Sequence, residues 1–211
     1  MGPPPKLCPK IILEGTRLTH KTDIAFCLNE HPRIVGPRKY RYHSPLISAE
    51  WCAFTNFPWG RGLINFEPQE EELALETYRT WVKLFELQRY YSWIVDRFHI
   101  STEVYQSDKG RQLDFKWLEE RLLAVGFCTI LCVRTGDSFV QAREERLKVS
   151  GKPDQYDNLN IFIREQDKFR EAVSESILPH HEVDVSDGNV NRICDEIADW
   201  LAANDLLGAR Y

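Results

Sequence analysis

The residues Gly15, Lys21 and Thr22 have the spacing of a phosphate-binding loop, G-x-x-x-x-G-K-[ST], although His20 stands where the second glycine belongs. In such a loop, backbone N–H groups and the N-terminus of the following helix surround phosphate oxygens. Lys21 would reach the β- and γ-phosphates of ATP, and Thr22 would hold Mg²⁺ through its hydroxyl. The loop that would bind ATP consists of Gly15, Thr16, Arg17, Leu18, Thr19, His20, Lys21 and Thr22.

The histidine at position 20 decides whether this motif works. Glycine lets the backbone adopt a positive φ and approach the phosphates, and a histidine reaches the same left-handed conformation only at some cost. The imidazole of His20 must then point away from the phosphates or donate a hydrogen bond to them. The alternative is an ordinary strand–loop–helix in which the Lys-Thr pair occurs by chance.

A second group of candidate residues lies in the stretch "VDRFHISTEVYQ" (residues 95–106). Asp96 ends an apolar run, and the carboxyl ends of buried parallel strands form the edge where open α/β folds bind ligands. Asp96 can take a Mg²⁺-bound water or a substrate hydroxyl there, and Arg97 can bind an anionic phosphoryl group. The alternative is a salt-bridged Asp-Arg turn that caps the next helix.

Taken together, the two stretches resemble the thymidylate kinases. These carry a strand ending in Glu-Gly before the phosphate loop, as in "IILEG", and later Asp-Arg-aromatic, a serine and a Tyr-Gln. The matching residues here are Asp96, Arg97, Phe98, Ser101, Thr102, Tyr105 and Gln106. The resemblance covers most of residues 10–201 in order and is specific at 14–22 and 96–106. It implies a phosphotransferase that moves the γ-phosphoryl of ATP to a nucleotide, nucleoside or related small acceptor, with Mg²⁺ as the metal.

Residue by residue, the resemblance implies catalytic roles for Lys21, Asp96 and Arg97 and a Mg²⁺ site at Thr22 and Asp96. The acceptor would be bound by Arg17, Arg97, Ser101, Tyr105 and Gln106. Arg143 and Arg146 would lie on an Arg-rich lid (about residues 137–157) and stabilise the transferred phosphoryl group. The alternative for this lid is a solvated charged helix with i,i+4 ion pairs.

Departures from the family pattern concern the acceptor. Arg17 stands where the family often has an acidic residue, which favours an anionic acceptor or contact with the ATP phosphates. The Arg-Glu-Pro segment that the family has after its second strand is not recognisable in this sequence. The resemblance also implies an arginine on the long helix that contacts the base. Arg79 and Arg89 are the candidates, and a surface position is the alternative for each. Thymidine monophosphate is therefore a doubtful acceptor. The aromatics in 51–59 could stack on a base, although such aromatics are more often core or a partner patch.

Three hypotheses of function remain open at this point. The first is a kinase of a nucleoside monophosphate, a nucleoside or a modified base. The second is a non-catalytic P-loop protein whose loop is degraded at His20 and whose surface binds a partner. The third is a kinase of a non-nucleotide metabolite, for which the long segment 36–68 would define the pocket as a substrate-side insertion.

Periodicity predicts strands that alternate with helices, and hence an α/β fold with a mostly parallel sheet. The resemblance implies that this fold is of the P-loop NTPase type, a three-layer arrangement of a mostly parallel five-stranded sheet flanked by helices, with an Arg-rich lid. The strands are predicted at 10–14, 92–96, 127–133, 181–185 and, more weakly, 33–36. The helices are predicted at 21–29, 70–91, 115–125, 137–149, 160–177 and 189–203.

Composition fits one domain over residues 10–211 after a Pro-rich leader at 1–9. The chain has 211 residues and 43% hydrophobic residues, enough for a substantial core, and a net charge of −5 that argues against extended nucleic-acid binding. No apolar run is long enough to cross a membrane. The six scattered cysteines suggest reduced thiols in a cytoplasmic protein. The resemblance also implies a homodimer.

Overall fold

A computed structural model describes residues 7–35, 46–49 and 62–208 of the chain. The strands are β1 (Lys10–Glu14), β2 (Leu46–Ser48), β3 (Trp93–Asp96), β4 (Phe127–Val133) and β5 (His180–Asp184). The helices are α1 (Lys21–Glu30), α2 (Pro32–Val35), α3 (Glu71–Leu87), α4 (His99–Ser107), α5 (Lys116–Val125), α6 (Ser138–Leu147), α7 (Leu159–Glu175) and α8 (Val190–Ala203). Short 3₁₀ turns lie at Pro68–Glu70 and Pro153–Tyr156.

The five strands form one parallel sheet in the order β2-β3-β1-β4-β5. This confirms the predicted α/β fold with a five-stranded sheet flanked by helices. The two central strands, β1 and β4, are buried along their whole lengths. Continuous apolar runs such as "KIILE" and "FCTILCV" suit such strands because both faces of a parallel sheet are covered by helices.

One predicted strand is wrong, and another strand lies elsewhere. The segment predicted to form a strand at 33–36 begins instead as the short helix α2, which Pro32 opens. Proline at the first helical position has the φ of a helix and lacks only a donor that would be unpaired there. The fifth strand is β2, which lies inside the predicted insertion 36–68. Residues 36–45 and 50–61 of that insertion, with the aromatic stretch, lie outside the described residues.

Helices cover both faces of the sheet in three layers. On one face, side chains of β1 such as Ile11 and Leu13 pack with α1, α2 and α8. On the other face, Ile12 packs with α3 and α5 around Tyr78 and Phe85. Alternate residues of a strand point to opposite faces, so a single buried strand supplies both halves of the core.

The register of the sheet places the candidate residues at one edge. Leu13 of β1 pairs with Asp96 of β3, and the N–H of Arg97 donates to the carbonyl of Leu13 at 2.9 Å. The loop after β1 and the turn after β3 are therefore neighbours at the carboxyl edge of the sheet. This is the edge at which open α/β folds bind ligands.

The start and the end of the described chain meet at the opposite edge. Leu7 forms an antiparallel bridge with Gly208, and the N–H of Cys8 donates to the carbonyl of Leu207 at 2.8 Å. Residues 7–8 of the predicted leader thus pair with the body of the domain. Among the helices within the described ranges, none has the length and apolar character needed to cross a bilayer.

Candidate functional site

The loop after β1 begins at a glycine that no other residue can replace without strain. Gly15 has a φ of +135°, and a Cβ built on it would lie 2.4 Å from the carbonyl oxygen of Cys132 in β4. The chain therefore leaves β1 in close contact with the backbone of the neighbouring strand. Only glycine combines that φ with that contact.

The histidine in the loop adopts the conformation that a glycine would supply. His20 has φ 53° and ψ 17°, in the left-handed region, and directly precedes α1. Its Nδ1 lies 3.5 Å from Oδ2 of Asp23, and its Nε2 faces Gly188 in the loop after β5, where a Cβ would be 3.8 Å away. His20 therefore has the left-handed backbone that the motif requires at this position, and its imidazole lies between Asp23 and Gly188.

The lysine of the motif lies across the loop. Lys21 Nζ donates to the carbonyl of Thr16 at 2.5 Å and to Oγ1 of Thr19 at 3.0 Å, and the side chain is buried. Both acceptors belong to the loop whose backbone amides would surround a bound phosphate. A phosphate that entered the loop would be a stronger partner for the ammonium group than a carbonyl oxygen, because the hydrogen bond would join two charged groups.

Thr22 and Asp96 form a pair of oxygen ligands at the mouth of the loop. Thr22 Oγ1 donates to Oδ2 of Asp96 at 2.9 Å. Oδ1 of Asp96 is buried and has no hydrogen-bond partner within the described part of the chain. A hydroxyl next to a carboxylate with an unused oxygen fits Mg²⁺, which prefers oxygen ligands and keeps most of its remaining sites for water and phosphate. Within the described ranges, no group of three or more His, Cys, Asp or Glu could hold a metal.

A buried carboxylate organises the turn that carries Arg97. Glu14 is fully buried and accepts hydrogen bonds from the N–H of Phe98 at 2.8 Å and from the N–H and hydroxyl of Ser101 at 3.3 and 2.5 Å. Burial raises the pKa of this carboxyl, and the hydrogen bond from Ser101 opposes the shift. Glu14 thereby fixes the backbone at both ends of the turn into α4.

Arg97 is held in an unusual conformation by that turn. It has a φ of 62° and is buried, and its Nη1 lies 3.3 Å from Oγ of Ser101. Its guanidinium also lies over the ring of Tyr105, at 5.6 Å from the centroid. The structure thus brings together three residues that the sequence analysis assigned to the acceptor, namely Arg97, Ser101 and Tyr105.

Gln106 makes contacts of a different kind. Its amide nitrogen donates to the carbonyls of Ile64 and Phe66, both at 3.1 Å, and its oxygen accepts from Arg111 at 2.9 Å. Thr102, one turn earlier, donates to the carbonyl of Leu63 at 2.6 Å. Both side chains fasten the segment 62–66 to α4, and the predicted contact of Gln106 with an acceptor stays a prediction.

The two arginines of the lid contact the turn that follows α6. Arg143 Nη2 lies 3.3 Å from Oδ1 of Asp157, and Arg146 Nε donates to the hydroxyl of Tyr156 at 3.1 Å. The same turn contacts the phosphate loop, because Arg17 Nη1 donates to Oε1 of Gln155 at 3.0 Å. The lid therefore lies against the loop through Arg17, and its role in transfer stays a prediction.

The arginine candidates on and after α3 lie at the surface. Arg79 Nη1 donates to Glu72 at 2.9 Å and to Glu76 at 3.2 Å, and nearly half of its side chain is exposed. Arg89 is exposed as well. This agrees with the surface position that was the alternative for each.

Three residues that support the site were given no role in the sequence analysis. Glu14 belongs to the Glu-Gly pair of the matching motif, but its hydrogen bonds to the turn after β3 were not anticipated. Arg134, just after β4, is buried and donates to the carbonyls of Ser138 at 2.7 Å and of Val185 at 3.3 Å, which joins the start of α6 to the end of β5. Glu165 of α7 accepts a hydrogen bond from the hydroxyl of Thr16. Nothing in local spacing signals the last two.

Glu103 on α4, next to this site, should make the free energy of unfolding depend on pH. Burial raises the pKa of its carboxyl from 4.5 to about 7, against the opposing effect of His99. Between these values the folded chain keeps a proton that the unfolded chain releases. Glu103 therefore does not lower the free energy of unfolding below the unfolded pKa of 4.5, where it is protonated in both states. As the pH rises from there through the folded pKa of about 7, the buried carboxyl ionises and the free energy of unfolding falls.

We expect Glu103→Gln to raise the free energy of unfolding by about 2 kcal/mol at about pH 8.5, and by less than about 1 kcal/mol at about pH 5. Urea denaturation at both pH values measures this, with Glu120→Gln on the exposed face of α5 as the control. An equal gain at the two pH values, or the same gain in the control, would contradict the assignment.

The chain has no match among family models or among curated proteins. It is similar to solved structures. The YorR protein from Bacillus subtilis, in complex with phosphorylated GDP, is 17% identical, with 93% of this chain and 97% of that chain covered and a TM-score of 0.61. Thymidylate kinase from Ehrlichia chaffeensis is 17% identical, with 92% and 98% covered and a TM-score of 0.56. Thymidylate kinase from Candida albicans is 17% identical, with 97% and 96% covered and a TM-score of 0.53. The chain thus has the P-loop kinase-like fold.

Proposed function

We propose that the protein is a phosphotransferase that uses ATP and Mg²⁺ to phosphorylate a nucleotide, a nucleoside or a related small acceptor. The observation that carries this proposal is the hydrogen bond between Thr22 and Asp96 at the mouth of the loop. It joins the last residue of the phosphate motif to the acidic residue that ends β3, and it leaves one buried carboxylate oxygen of Asp96 for a metal. The similarity of fold to nucleotide-binding kinases supports the same assignment.

In this proposal Thr22 and Asp96 would hold the metal. Bound Mg²⁺ supplies positive charge to the phosphate oxygens. Phosphoryl transfer depends mainly on positioning and on charge stabilisation, so the chain needs cations around the phosphates more than a nucleophile. Lys21 contributes one cation from the loop, and Arg97, held by Ser101 and Tyr105, contributes a second from the turn after β3.

Among these acceptors, the arginines of the site favour an anionic one over a neutral nucleoside. Arg17 and Arg97 both lie at the carboxyl edge of the sheet, and Arg17 replaces an acidic residue that would repel a phosphate. The amide of Gln106 is engaged with backbone carbonyls and Arg111. This favours an acceptor that is recognised by its charge over one that is recognised by hydrogen bonds from Gln106.

A non-catalytic P-loop protein is the second candidate, because other residues of the loop already accept hydrogen bonds from the lysine of the motif. Lys21 donates to Thr16 and Thr19, both within the loop, so its ammonium group has hydrogen-bond acceptors in the protein itself. In that case the domain would bind a partner through another surface.

Thermal unfolding with and without Mg-ATP separates the two candidates. A ligand at 100 times its dissociation constant adds about 2.7 kcal/mol, which raises the melting temperature of a chain of this size by roughly 5–10 °C. We expect such a rise, followed by ATP turnover with at least one member of a panel of nucleotides, nucleosides and small phosphorylated metabolites. No rise at millimolar Mg-ATP would favour the non-catalytic protein.

Asp96→Asn should make the affinity for ATP independent of Mg²⁺. We expect the variant to bind ATP with the same affinity with or without Mg²⁺, whereas Mg²⁺ should tighten binding by the wild type by about tenfold or more, because an amide is a poor ligand for this cation. Calorimetric titration in Mg²⁺ and in EDTA measures this. Asp199→Asn at an exposed position of α8 is the control. Continued dependence on Mg²⁺ in Asp96→Asn would place the metal elsewhere.

A further inference from the structure

The phosphate loop is fastened to the region between β4 and β5 by three consecutive residues. The contacts join Thr16 to Glu165 of α7, Arg17 to Gln155, and Leu18 to the cluster of Phe139, Tyr156 and Phe162. This region also contains the lid. A loop held by three neighbouring contacts cannot move independently of the elements that it contacts.

Thr16 is at the centre of these contacts. It is fully buried, and its hydroxyl donates to Oε2 of Glu165. Its carbonyl oxygen accepts hydrogen bonds from Oγ1 of Thr19 at 2.8 Å and from Nζ of Lys21 at 2.5 Å. The orientation of Thr16 therefore determines where the lysine of the motif is held before a phosphate arrives.

The helix that carries Glu165 is joined to the end of β4 through the next residue. The adjacent Gln166 accepts from the N–H of Arg134 at 2.8 Å and donates to the carbonyl of Arg134 at 3.0 Å, at the end of β4. Both Glu165 and Gln166 are buried. The part of α7 that carries Glu165 is thus tied to the end of β4.

A buried carboxylate beside a loop that binds anions carries an electrostatic cost. Its negative charge acts against phosphate binding, and the more so because it is shielded from water. The hydrogen bond that it accepts from Thr16 offsets this cost only if the loop gains something from being held.

We propose that Glu165 is a positioning residue of the phosphate-binding loop. Its carboxylate holds Thr16, and Thr16 holds the backbone of the loop and Lys21 in the arrangement that receives the phosphates. The role in nucleotide binding rests on the proposed function, whereas the role in ordering the loop does not.

Hydrogen exchange of the nucleotide-free chain tests the ordering directly. Glu165→Ala and Thr16→Val should each accelerate exchange of the amides of residues 15–22 by about tenfold. Glu165→Gln, which keeps an acceptor oxygen, should exchange like the wild type. Glu171→Ala, at an exposed position of the same helix, is the control and should leave the loop unchanged. Unchanged exchange in Glu165→Ala would overturn the proposal, whether or not the protein binds ATP.

Calorimetric titration with Mg-ATP tests the consequence for binding. We expect about tenfold weaker binding for Glu165→Ala and for Thr16→Val. The double variant should bind no more weakly than either single variant, because each substitution removes the same hydrogen bond. Glu165→Gln should bind at least as tightly as the wild type, since it removes a negative charge and keeps the hydrogen bond. Equal binding by Glu165→Ala and the wild type would overturn the proposal. Absence of binding by the wild type would instead contradict the proposed kinase, and hydrogen exchange would still decide the role of Glu165.

Discussion

Lys21→Ala should abolish the stabilisation by Mg-ATP and weaken nucleotide binding by about 100-fold or more. The ammonium group would lose charge-assisted hydrogen bonds to the phosphates, each worth about 1.5–3 kcal/mol. Without nucleotide the same variant should lose only about 1 kcal/mol, because its main loss is a donor to the carbonyl of Thr16. Calorimetric titration and thermal unfolding, each with and without Mg-ATP, measure the two effects separately.

A charge-matched control separates this effect from a general loss of positive charge. Lys116 is exposed at the start of α5. Lys116→Ala removes the same charge and should bind Mg-ATP like the wild type. Nucleotide binding by Lys21→Ala at the level of the wild type would mean that the loop does not bind phosphate.

Gly15→Ala should be the most destabilising single substitution in the loop. The new Cβ would lie 2.4 Å from the carbonyl oxygen of Cys132, and alanine strongly disfavours the φ of +135° at this position. The carbonyl belongs to a central strand and cannot move aside cheaply. We expect a loss of about 3 kcal/mol or more in the free energy of unfolding, measured by urea denaturation.

Gly110→Ala is the matched control for the cost of a positive φ without a steric clash. Gly110 has a φ of +74°, and a Cβ there would have nothing within 4 Å. We expect a loss of about 1–2 kcal/mol, the cost of a left-handed residue without a clash. If the two glycine variants lost the same free energy, the close approach between the loop and β4 would be wrong.

The elements that position the site could be predicted from apolar runs and glycine. The runs at 10–14 and 127–133 are long enough and apolar enough to read as buried strands, and the structure has them at those bounds. β2 was missed because a strand of only 3 residues shows no periodicity and lies in a segment rich in proline and aromatics. The segment around Ile34 and Val35 has the composition of a strand, but Pro32 starts a helix there.

The neighbourhood of Thr22 and Asp96 could also be expected, because the carboxyl ends of adjacent parallel strands meet at one edge. Contacts that join distant parts of the chain could not. Thr16 and Glu165 are 149 residues apart, and no spacing rule connects them. Gln106 illustrates a different limit, since the residue type fits a substrate contact, whereas its amide is engaged with the carbonyls of Ile64 and Phe66.

We propose that the backbone amides of residues 15–21 bind the phosphates of a nucleotide although His20 replaces a glycine. His20 already has the left-handed conformation that such a loop needs, with φ 53°. A crystal structure with magnesium and a non-hydrolysable ATP analogue tests the claim most directly. We expect the β- and γ-phosphates within about 3 Å of these amides, with Lys21 moved from Thr16 to a phosphate oxygen. An empty loop with Lys21 still bound to Thr16 at saturating nucleotide would contradict it.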